Sequence, residues 1–309
     1  MVQRKEKDTQ QNQQKERKLI DKARKANILE WLGYNFDLNS KTFIMGILNI
    51  TPDSFFDGGT HFRENDAVKH GLKMAAEGAD IIDVGGESTR PFSDPLPLDE
   101  ELRRVMPVIK TLAQEIDIPI SIDTYKSEVA SQAIEAGATM VNDISALKFD
   151  PAMGQLVADA GVPIVLMHMK GTPKNMQTNP TYKHLLGEII DFLRKAIEQA
   201  VSSGIKRDVI IIDPGIGFGK SFSDNLKIIN NLHTFSSLEQ PLLVGTSNKA
   251  FIGHVLGLSV ESRENGTMAT VAASVLNGAN IVRVHNVKAT KETVTMIDAI
   301  KSESCRPKS

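Results

Sequence analysis

The chain alternates between short runs of apolar residues and longer segments in which apolar residues recur every three or four positions. Such short runs are typical of parallel strands that are buried on both faces, because these strands have no polar face to alternate with an apolar one. The sequence therefore predicts eight strands, at residues 43–48, 80–84, 118–122, 139–141, 162–167, 209–212, 241–244 and 281–284.

The segments between the predicted strands have the spacing of amphipathic helices. A wide apolar stripe runs through residues 185–197, and narrower stripes at 128–136 and 271–276 are each followed closely by a glycine. A glycine in that place ends a helix in a left-handed turn and leads into the next strand. Eight strand–helix units between residues 43 and 300 predict an α/β protein, a single (β/α)8 TIM barrel. The alternative is a doubly wound open sheet, which usually has fewer strands.

The residues before the first predicted strand divide into two parts. Residues 1–26 contain nine Lys or Arg, four Asp or Glu and five Gln, and we interpret them as a basic, solvated extension that is disordered or helical. An arm for an anionic surface or for nucleic acid is the alternative interpretation. Residues 27–305 are assigned to the barrel. Within them, Trp31, Tyr34, Phe36 and Leu38 predict a short hairpin or helix that closes the barrel bottom.

Composition excludes several classes of protein. The 309 residues suffice for one large barrel. A net charge of −2 and an aromatic content of 5% argue against binding of nucleic acid. No apolar stretch reaches the length of about 18 residues that a membrane span requires. The single cysteine, Cys305, excludes a disulfide framework and a cysteine-ligated metal cluster, and it suits a reducing compartment.

Polar clusters follow all eight predicted strands. In a barrel the carboxyl ends of the strands converge on one mouth, so these clusters are predicted to be neighbours in space. They begin at Asn49, Gly85, Asp123, Asn142, His168, Asp213, Gly245 and Arg283. Structural accident does not readily place eight polar clusters on one face, and this mouth is the predicted active site.

The last predicted strand carries an anion site. Arg283 and His285 are two residues apart, so their side chains point to the same side of the strand. A guanidinium beside an imidazole suits phosphate oxygens. Asn49 can complete this site, either as an amide donor or as an oxygen ligand to Mg²⁺, an ion that often takes one protein oxygen together with a diphosphate.

A second group of residues suits a flat heterocycle that is rich in hydrogen-bond donors. A carboxylate of Asp123 or Asp213 can accept two parallel N–H bonds from an amino-pyrimidine edge. Asn142 lies between them in strand order, and Lys249 supplies a cation near a ring carbonyl. Taken alone, Asp123 can also be a helix cap, and Asp213 can also start a turn. Arg283 can also pair structurally with an acid.

Three motifs are rejected as functional signatures. Gly219-Lys220-Ser221 resembles the end of a P-loop, but the required first glycine falls on Pro214. The glycines at 215, 217 and 219 have the wrong spacing for the dinucleotide fingerprint. His168 lies in an apolar run, where a buried wall histidine is favoured over a catalytic base.

The strand-end motifs resemble those of the dihydropteroate synthases. The motifs are Met45-Gly-Ile-Leu-Asn-Ile-Thr-Pro-Asp-Ser-Phe, Gly85-Gly-Glu-Ser-Thr-Arg-Pro, Ser121-Ile-Asp-Thr-Tyr-Lys, Val141-Asn-Asp-Ile, Leu166-Met-His-Met, Asp213-Pro-Gly-Ile-Gly-Phe-Gly-Lys and Arg283-Val-His. The resemblance covers about residues 40–300 in order, and the first two motifs together are highly specific.

The resemblance implies a cytoplasmic, homodimeric transferase of folate biosynthesis with a (β/α)8 barrel. Such an enzyme joins para-aminobenzoate to 6-hydroxymethyl-7,8-dihydropterin diphosphate, releases pyrophosphate and uses Mg²⁺. Its partners are these small-molecule substrates, and neither nucleic acid nor a membrane is implied.

The resemblance also implies residue roles. It places the pterin at Asp123, Asn142, Asp213 and Lys249. It places the diphosphate at Asn49, Arg283 and His285, with Asn49 as the Mg²⁺ ligand. It places para-aminobenzoate at Thr89, Arg90, Pro91, Phe218 and Ser247. Asp53, in a mobile first loop, joins Arg283, His285 and Lys249 as catalytic residues.

The implied reaction begins with departure of the diphosphate and leaves a pterin carbocation beside Asp123 and Asp213. Closure of loops 50–62 and 85–97 then excludes water, and the aromatic amine attacks without a strong base. On this basis we expect Arg283→Ala to reduce turnover with little effect on folding.

Four positions depart from the family pattern. Asn248 and Ala250 stand where Arg and Ser are usual, Phe92 where Gly is usual, and Asn286 where Asp is usual. The first three lie beside the implied para-aminobenzoate pocket, so we predict altered affinity for that substrate and for sulfonamides that mimic it. Neutral drift is the alternative.

Two other functions remain open from the sequence. A methyltetrahydrofolate-type methyltransferase shares the pterin-binding carboxylates but needs no diphosphate clamp. A non-catalytic pterin-binding paralogue is supported only by the departures from the family pattern.

Overall fold

Eight parallel strands form the centre of the computed structural model, which describes residues 28–50, 60–88 and 93–304. In chain order the strands are β1 Ile28–Trp31, β2 Tyr34–Asp37, β3 Phe43–Asn49, β4 Ile81–Gly85, β5 Ile120–Asp123, β6 Met140–Asp143, β7 Ile164–Met167, β8 Ile210–Asp213, β9 Leu243–Val244 and β10 Ile281–Val284. All eight strands predicted from the apolar runs are present as β3 to β10, and no strand end differs from its predicted position by more than two residues.

The eight strands form a barrel rather than an open sheet. Their order is β8-β7-β6-β5-β4-β3-β10-β9, and every neighbouring pair is parallel. A parallel bridge between Ile212 and Leu242 joins the two outer strands. The predicted TIM-barrel architecture is therefore confirmed.

Helices follow the strands and cover the outside of the barrel. They are α1 Thr60–Ala76, α2 Leu98–Glu115, α3 Ser127–Glu135, α4 Met153–Ala160, α5 Leu185–Ser202, α6 Phe222–Asn230, α7 Ala250–Leu256, α8 Glu264–Leu276 and α9 Val287–Ser302. Side chains such as Leu48, Val84 and Ile122 point outward from the strands and pack with these helices in one buried cluster. None of the described helices combines the length and the apolar composition needed to cross a membrane.

The bottom of the barrel is closed by a hairpin, which settles the choice between hairpin and helix. β1 and β2 pair antiparallel, with Trp31 opposite Tyr34. Trp31 and Phe36 are buried with inward-pointing residues from the first half of the barrel strands, among them Met45, Met140 and Ile281. Aromatic side chains bury large apolar areas, so this plug is a substantial part of the core. The strands place apolar side chains at the bottom of the interior and polar ones at the opposite end.

Candidate active site

Strand register places the predicted polar residues at one level of the barrel interior. Asn49 is opposite Gly85, Gly85 is opposite Asp123, and Asp123 is opposite Asn142. Gly85 lies between two of these side chains: a Cβ there would be 3.6 Å from Asn49 Oδ1 and 3.5 Å from Asp123 Oδ2. The convergence that the sequence predicted is therefore present for these strands.

Arg283 crosses the barrel interior and contacts two carboxylates. Its Nε donates to Asp83 Oδ2 at 2.6 Å, and its Nη2 donates to Asp123 Oδ2 at 2.6 Å. Burial opposes the charge on Arg283, but the two carboxylates outweigh burial and raise its pKa. A guanidinium has five N–H groups, so three remain for a ligand at the mouth. The structural pairing that the sequence left open for Arg283 is therefore present.

Asp83 is a site residue that the sequence analysis missed. It is fully buried inside β4, and besides Arg283 it accepts a hydrogen bond from Asn142 Nδ2 at 3.0 Å. The predicted strand 80–84 contains Asp83, but the sequence analysis assigns this residue no role. The signal was available, because an aspartate within a buried strand is costly unless its charge is paired.

Burial alters the acidity of the two predicted pterin carboxylates. Burial raises the pKa of Asp123 to about 7, against the opposing effect of Arg283. Burial also raises the pKa of Asp213 to about 6, while the Gly215 N–H and the cations Lys249 and Lys220 oppose the shift. Both groups therefore titrate near neutral pH. Groups with such pKa values in a cleft are typical of functional sites.

Of Asp123 and Asp213, only Asp213 has the structural role that the sequence left open as an alternative. Asp123 does not cap a helix, because α3 begins after Lys126 and has no side-chain cap. Asp213 does start a turn, since its Oδ1 accepts the Gly215 N–H at 2.7 Å.

Lys249 lies against the loop that follows β8. Its Nζ is 4.3 Å from the centroid of the Phe218 ring, within the range of a cation–π contact. Burial lowers the pKa of Lys249 to about 8, and the neighbouring Arg283 charge adds to this effect. Lys249 and Phe218, which the resemblance assigns to two different substrates, are therefore in contact.

The loop that carries Phe218 is held by its own Lys220 and by residues that follow β7. Lys220 Nζ is buried and contacts the Phe218 carbonyl at 2.9 Å and His168 Nδ1 at 2.9 Å. The Gly217 carbonyl accepts from Gln177, and the Gly219 carbonyl accepts from Tyr182. Lys220 thus links this loop to His168.

His168 has the properties of a buried wall residue. Its side chain is almost fully buried, and its ring packs edge-on against Phe192 with 4.7 Å between the ring centroids. Burial and the nearby Lys220 lower the pKa of His168 to about 2. It is therefore neutral at physiological pH, which agrees with the interpretation favoured from the sequence.

His285 and Ser247 meet at the rim of the mouth. His285 Nδ1 lies 2.9 Å from Ser247 Oγ, and the His285 N–H also points to that oxygen at 3.3 Å. His285 is exposed, whereas Ser247 is buried. The residues assigned to the diphosphate and to para-aminobenzoate are thus adjacent here.

Lys126 anchors the described parts of the second loop, and the sequence analysis did not assign it a role. Its Nζ donates to Glu87 Oε2 at 2.5 Å, to the Leu96 carbonyl at 2.8 Å and to Glu101. Glu101 is fully buried in α2. Both flanks of the loop predicted at 85–97 are therefore tied to one ammonium group.

Several predicted features lie outside the described residues. They are the extension 1–26, Asp53 in the first loop, Thr89, Arg90, Pro91 and the departure Phe92.

The described residues do not form a metal cage of their own. No group of three or more His, Cys, Asp or Glu side chains among them can hold a metal ion. A cage made by the described protein residues alone therefore does not fit. Asn49 lies half-buried at the end of β3. One amide oxygen there fits a Mg²⁺ ion whose other ligands come from a diphosphate and water.

Comparisons with known proteins agree with this geometry. The profile of the family described as "Pterin binding enzyme" matches residues 45–285. Dihydropteroate synthase of Bacillus subtilis (strain 168) is 46% identical over 260 residues, which are 84% of this chain and 89% of that protein.

Solved structures give the same result. The chain is similar to Yersinia pestis dihydropteroate synthase in complex with a sulfonamide drug, with a TM-score of 0.84, 41% identity and coverage of 89% of this chain and 99% of that one. It is equally similar to Xanthomonas albilineans dihydropteroate synthase with 4-aminobenzoic acid, with a TM-score of 0.84, 42% identity and coverage of 91% and 99%.

Proposed function

The chain belongs to the pterin-binding enzyme family and, within it, to the dihydropteroate synthases, and from this premise we propose how its residues carry out the reaction. It is a transferase of folate biosynthesis that condenses 6-hydroxymethyl-7,8-dihydropterin diphosphate with para-aminobenzoate and releases pyrophosphate. The observation that carries the residue-level proposal is the position of Arg283, which joins the buried carboxylates to the polar mouth.

The pterin lies in the interior against Asp123, Asn142, Asp213 and Lys249. The ionised carboxylates accept the N–H groups of the amino-pyrimidine edge, and the protonated Lys249 faces the ring carbonyl. Register and burial support this site, because Asp123 and Asn142 are opposite each other and Asn142 is almost fully buried. Hydrogen bonds between an ionised acceptor and a donor are the strong ones in such a site.

The diphosphate lies above the pterin, at Arg283, His285 and Asn49. Two N–H groups of Arg283 bind its carboxylate partners, and the others point to the phosphate oxygens. His285 adds a donor at the rim. Asn49 would hold Mg²⁺ through its side-chain oxygen. The ion supplies charge neutralisation to the leaving pyrophosphate when it is bound.

Para-aminobenzoate enters between the first two loops and Phe218. The contact between Phe218 and Lys249 supports this position, because it brings the amine pocket to the edge of the pterin site. Ser247, next to His285, lies on the same side. Thr89, Arg90 and Pro91 complete the pocket, and Asp53 acts from the first loop.

The bond changes follow from this arrangement. The carbon–oxygen bond to the diphosphate breaks first, and Arg283 and His285 stabilise the departing charge. Asp123 and Asp213 stabilise the positive charge left on the pterin. The amine nitrogen then attacks that carbon and loses a proton to pyrophosphate or to water. An aromatic amine is uncharged at neutral pH, so no buried base is required.

We also propose that the protein is a homodimer and acts in the cytoplasm. The cytoplasmic location rests on the family resemblance alone. Exposed apolar side chains on the neighbouring helices α7 and α8 support the homodimer, and they include Val255, Leu256 and Leu276. We expect Leu256→Asp to shift sedimentation to the monomer, and an unchanged sedimentation coefficient contradicts this surface.

The decisive experiment is amine-dependent release of pyrophosphate. The protein is incubated with the dihydropterin diphosphate and Mg²⁺, with and without para-aminobenzoate, while pyrophosphate and dihydropteroate are measured together. We expect stoichiometric formation of both only when the amine is present. Pterin binding without turnover would instead favour the non-catalytic paralogue.

A further inference from the structure

Asp83 lies where the interior of the barrel changes from apolar to polar. It is fully buried in the middle of β4, two residues after Ile81 of the apolar bottom layer. Its partners across the strands at the same level are Ile47 and Ser121. A carboxylate in this place needs partners of its own, because water cannot compensate its charge.

The two partners of Asp83 come from opposite directions around the barrel. In the strand order β6-β5-β4-β3-β10, β4 is central, Asn142 lies two strands to one side and Arg283 lies two strands to the other. One oxygen, Oδ2, accepts from Arg283 Nε at 2.6 Å and from Asn142 Nδ2 at 3.0 Å. Asp83 therefore cross-links two residues that the proposed function assigns to different ends of one substrate.

These contacts determine what each partner can offer. An ionised carboxylate only accepts hydrogen bonds, so the Asn142 amide must turn its NH2 group to Asp83 and its oxygen away. Asn142 then presents an acceptor to the heterocycle. Likewise, the Nε edge of Arg283 is committed to Asp83, so the donors for an anion come from the Nη end.

We propose that Asp83 is a positioning residue that fixes the Asn142 amide for the pterin and the Arg283 guanidinium for the diphosphate. It acts through these two side chains rather than on the substrate. The inference rests on the proposed function for the identity of the ligand, and it deepens that function by adding a residue to the site. The motif resemblance did not assign this position.

The test compares Asp83→Asn with Asp80→Asn. Asp80 is a matched control near the bottom end of the same strand, where it binds Lys41 and accepts the Ile44 N–H at 2.9 Å. Binding of free pterin and of inorganic pyrophosphate with Mg²⁺ is measured by calorimetry. We expect Asp83→Asn to weaken each by about tenfold, because it weakens charge-assisted hydrogen bonds. We expect Asp80→Asn to lower the melting temperature and leave both affinities within about twofold.

A further comparison separates positioning from general destabilisation. In an Asn142→Ala background, Asp83→Asn should weaken pterin binding by much less than in the unaltered protein, because the amide that Asp83 positions is already absent. Equal effects in both backgrounds overturn the proposal. Weakening of only one of the two ligands overturns the claim that one carboxylate fixes both ends.

A measurement on the unaltered protein covers the case in which Asp83→Asn does not fold. The Arg283 Nε–H should exchange with solvent far more slowly than that of the exposed Arg194. Equally fast exchange overturns the proposal. Failure of the proposed function gives a different pattern, in which the unaltered protein binds pterin without amine-dependent turnover while Asp83→Asn still weakens binding.

Discussion

At the scale of single residues, the pairing of buried charges dominates the behaviour of the site. Arg283 and Lys249 face Asp83, Asp123 and Asp213 in the same interior. Each charge is tolerable only because of its neighbours, since a single buried charge without a partner is strongly destabilising. Substitutions in this group therefore act on stability as well as on activity.

Arg283→Ala illustrates this coupling. The sequence led us to expect little effect on folding, but the two ion pairs contradict that expectation. Removal of the guanidinium leaves Asp83 and Asp123 buried without it, so we predict a loss of about 3 kcal/mol in unfolding free energy together with loss of turnover. Urea unfolding measures this, with the exposed Arg194→Ala as control, for which we expect a change below about 0.5 kcal/mol. Equal stability of the two variants would contradict the ion-pair geometry.

The raised pKa of Asp213 predicts opposite pH dependences for binding and for stability. Pterin binding needs the ionised carboxylate, so the affinity should rise as the pH rises through about 6. Stability of the free protein should fall from about pH 4 to 6, because the folded state retains a proton that the unfolded chain releases. The loss is about 2 to 3 kcal/mol. Calorimetric binding and urea unfolding from pH 4 to 7.5 test both slopes, and Asp213→Asn should remove this contribution from each.

The departure at Asn248 has a local explanation in the backbone. Asn248 has a left-handed φ of 57°, and its carbonyl accepts from Arg263 at 3.0 Å. Asparagine tolerates this conformation better than most residues with a side chain. We predict that Asn248→Arg lowers the KM for para-aminobenzoate and costs about 1 kcal/mol of stability. Equal KM values would instead favour neutral drift.

Asn286, which stands where Asp is usual in the family, is a conservative departure, unlike Asn248. Its side chain accepts the Ala289 N–H at the start of α9 and donates to Glu264. Asparagine and aspartate are comparable helix caps, so we expect Asn286 to stabilise the start of α9 as well as Asp would.

At the scale of elements, the loop after β8 depends on close contact between backbones. A Cβ at Gly215 would lie 1.9 Å from the His168 carbonyl, and a Cβ at Gly219 would lie 2.5 Å from the Lys170 carbonyl. Gly215 and Gly219 therefore allow the loops after β7 and β8 to pack against each other. At these two positions, glycines that resemble nucleotide-binding motifs have this structural cause.

Gly215→Ala should accordingly be severe. Gly161 is a matched control. Its φ of 65° is close to that of Gly215, but no atom lies within 4 Å of the position that a Cβ would take there. We predict a loss of about 1 kcal/mol for Gly161→Ala from backbone strain alone. Gly215→Ala should reduce stability by several times that amount, and it should weaken binding of para-aminobenzoate at Phe218. Thermal unfolding and the KM for para-aminobenzoate measure the two effects, and equal losses would contradict the close contact.

The elements also show what the sequence could predict. Strands β3 to β10 were predictable because burial on both faces makes each of them a continuous apolar run. An aspartate at position 83 within an apolar run indicates a paired charge, but its partners lie far along the chain, and periodicity within one strand cannot identify them. The choice between hairpin and helix at 27–42 stayed open because β1 and β2 have only four residues each, too few for a period to be read.

At the scale of the whole molecule, stability and chemistry occupy opposite ends of the barrel. Trp31 and Phe36 close one end within an apolar cluster, while the charged residues line the other. This division agrees with the general pattern of TIM barrels, in which the carboxyl ends of the strands carry the active site. Changes at the hairpin should therefore alter stability without altering the chemistry.

Trp31→Ala tests this separation. Removal of the buried ring should lower the unfolding free energy by about 3 to 5 kcal/mol and leave KM and kcat unchanged at temperatures where the variant is folded. Leu32→Ala, at the exposed turn of the same hairpin, serves as control and should change stability by less than about 0.5 kcal/mol. A changed KM in folded Trp31→Ala would show that the two ends are coupled.

The cross-link through Asp83 also has a consequence for synthesis of the chain on the ribosome. Asp83 and Asn142 are synthesised first, and Arg283 follows 200 residues after Asp83. A nascent chain therefore lacks the completed pocket until Arg283 has been added. A ligand therefore meets the complete set of site residues only after Arg283 has been added, and until then the barrel depends on its own apolar interior.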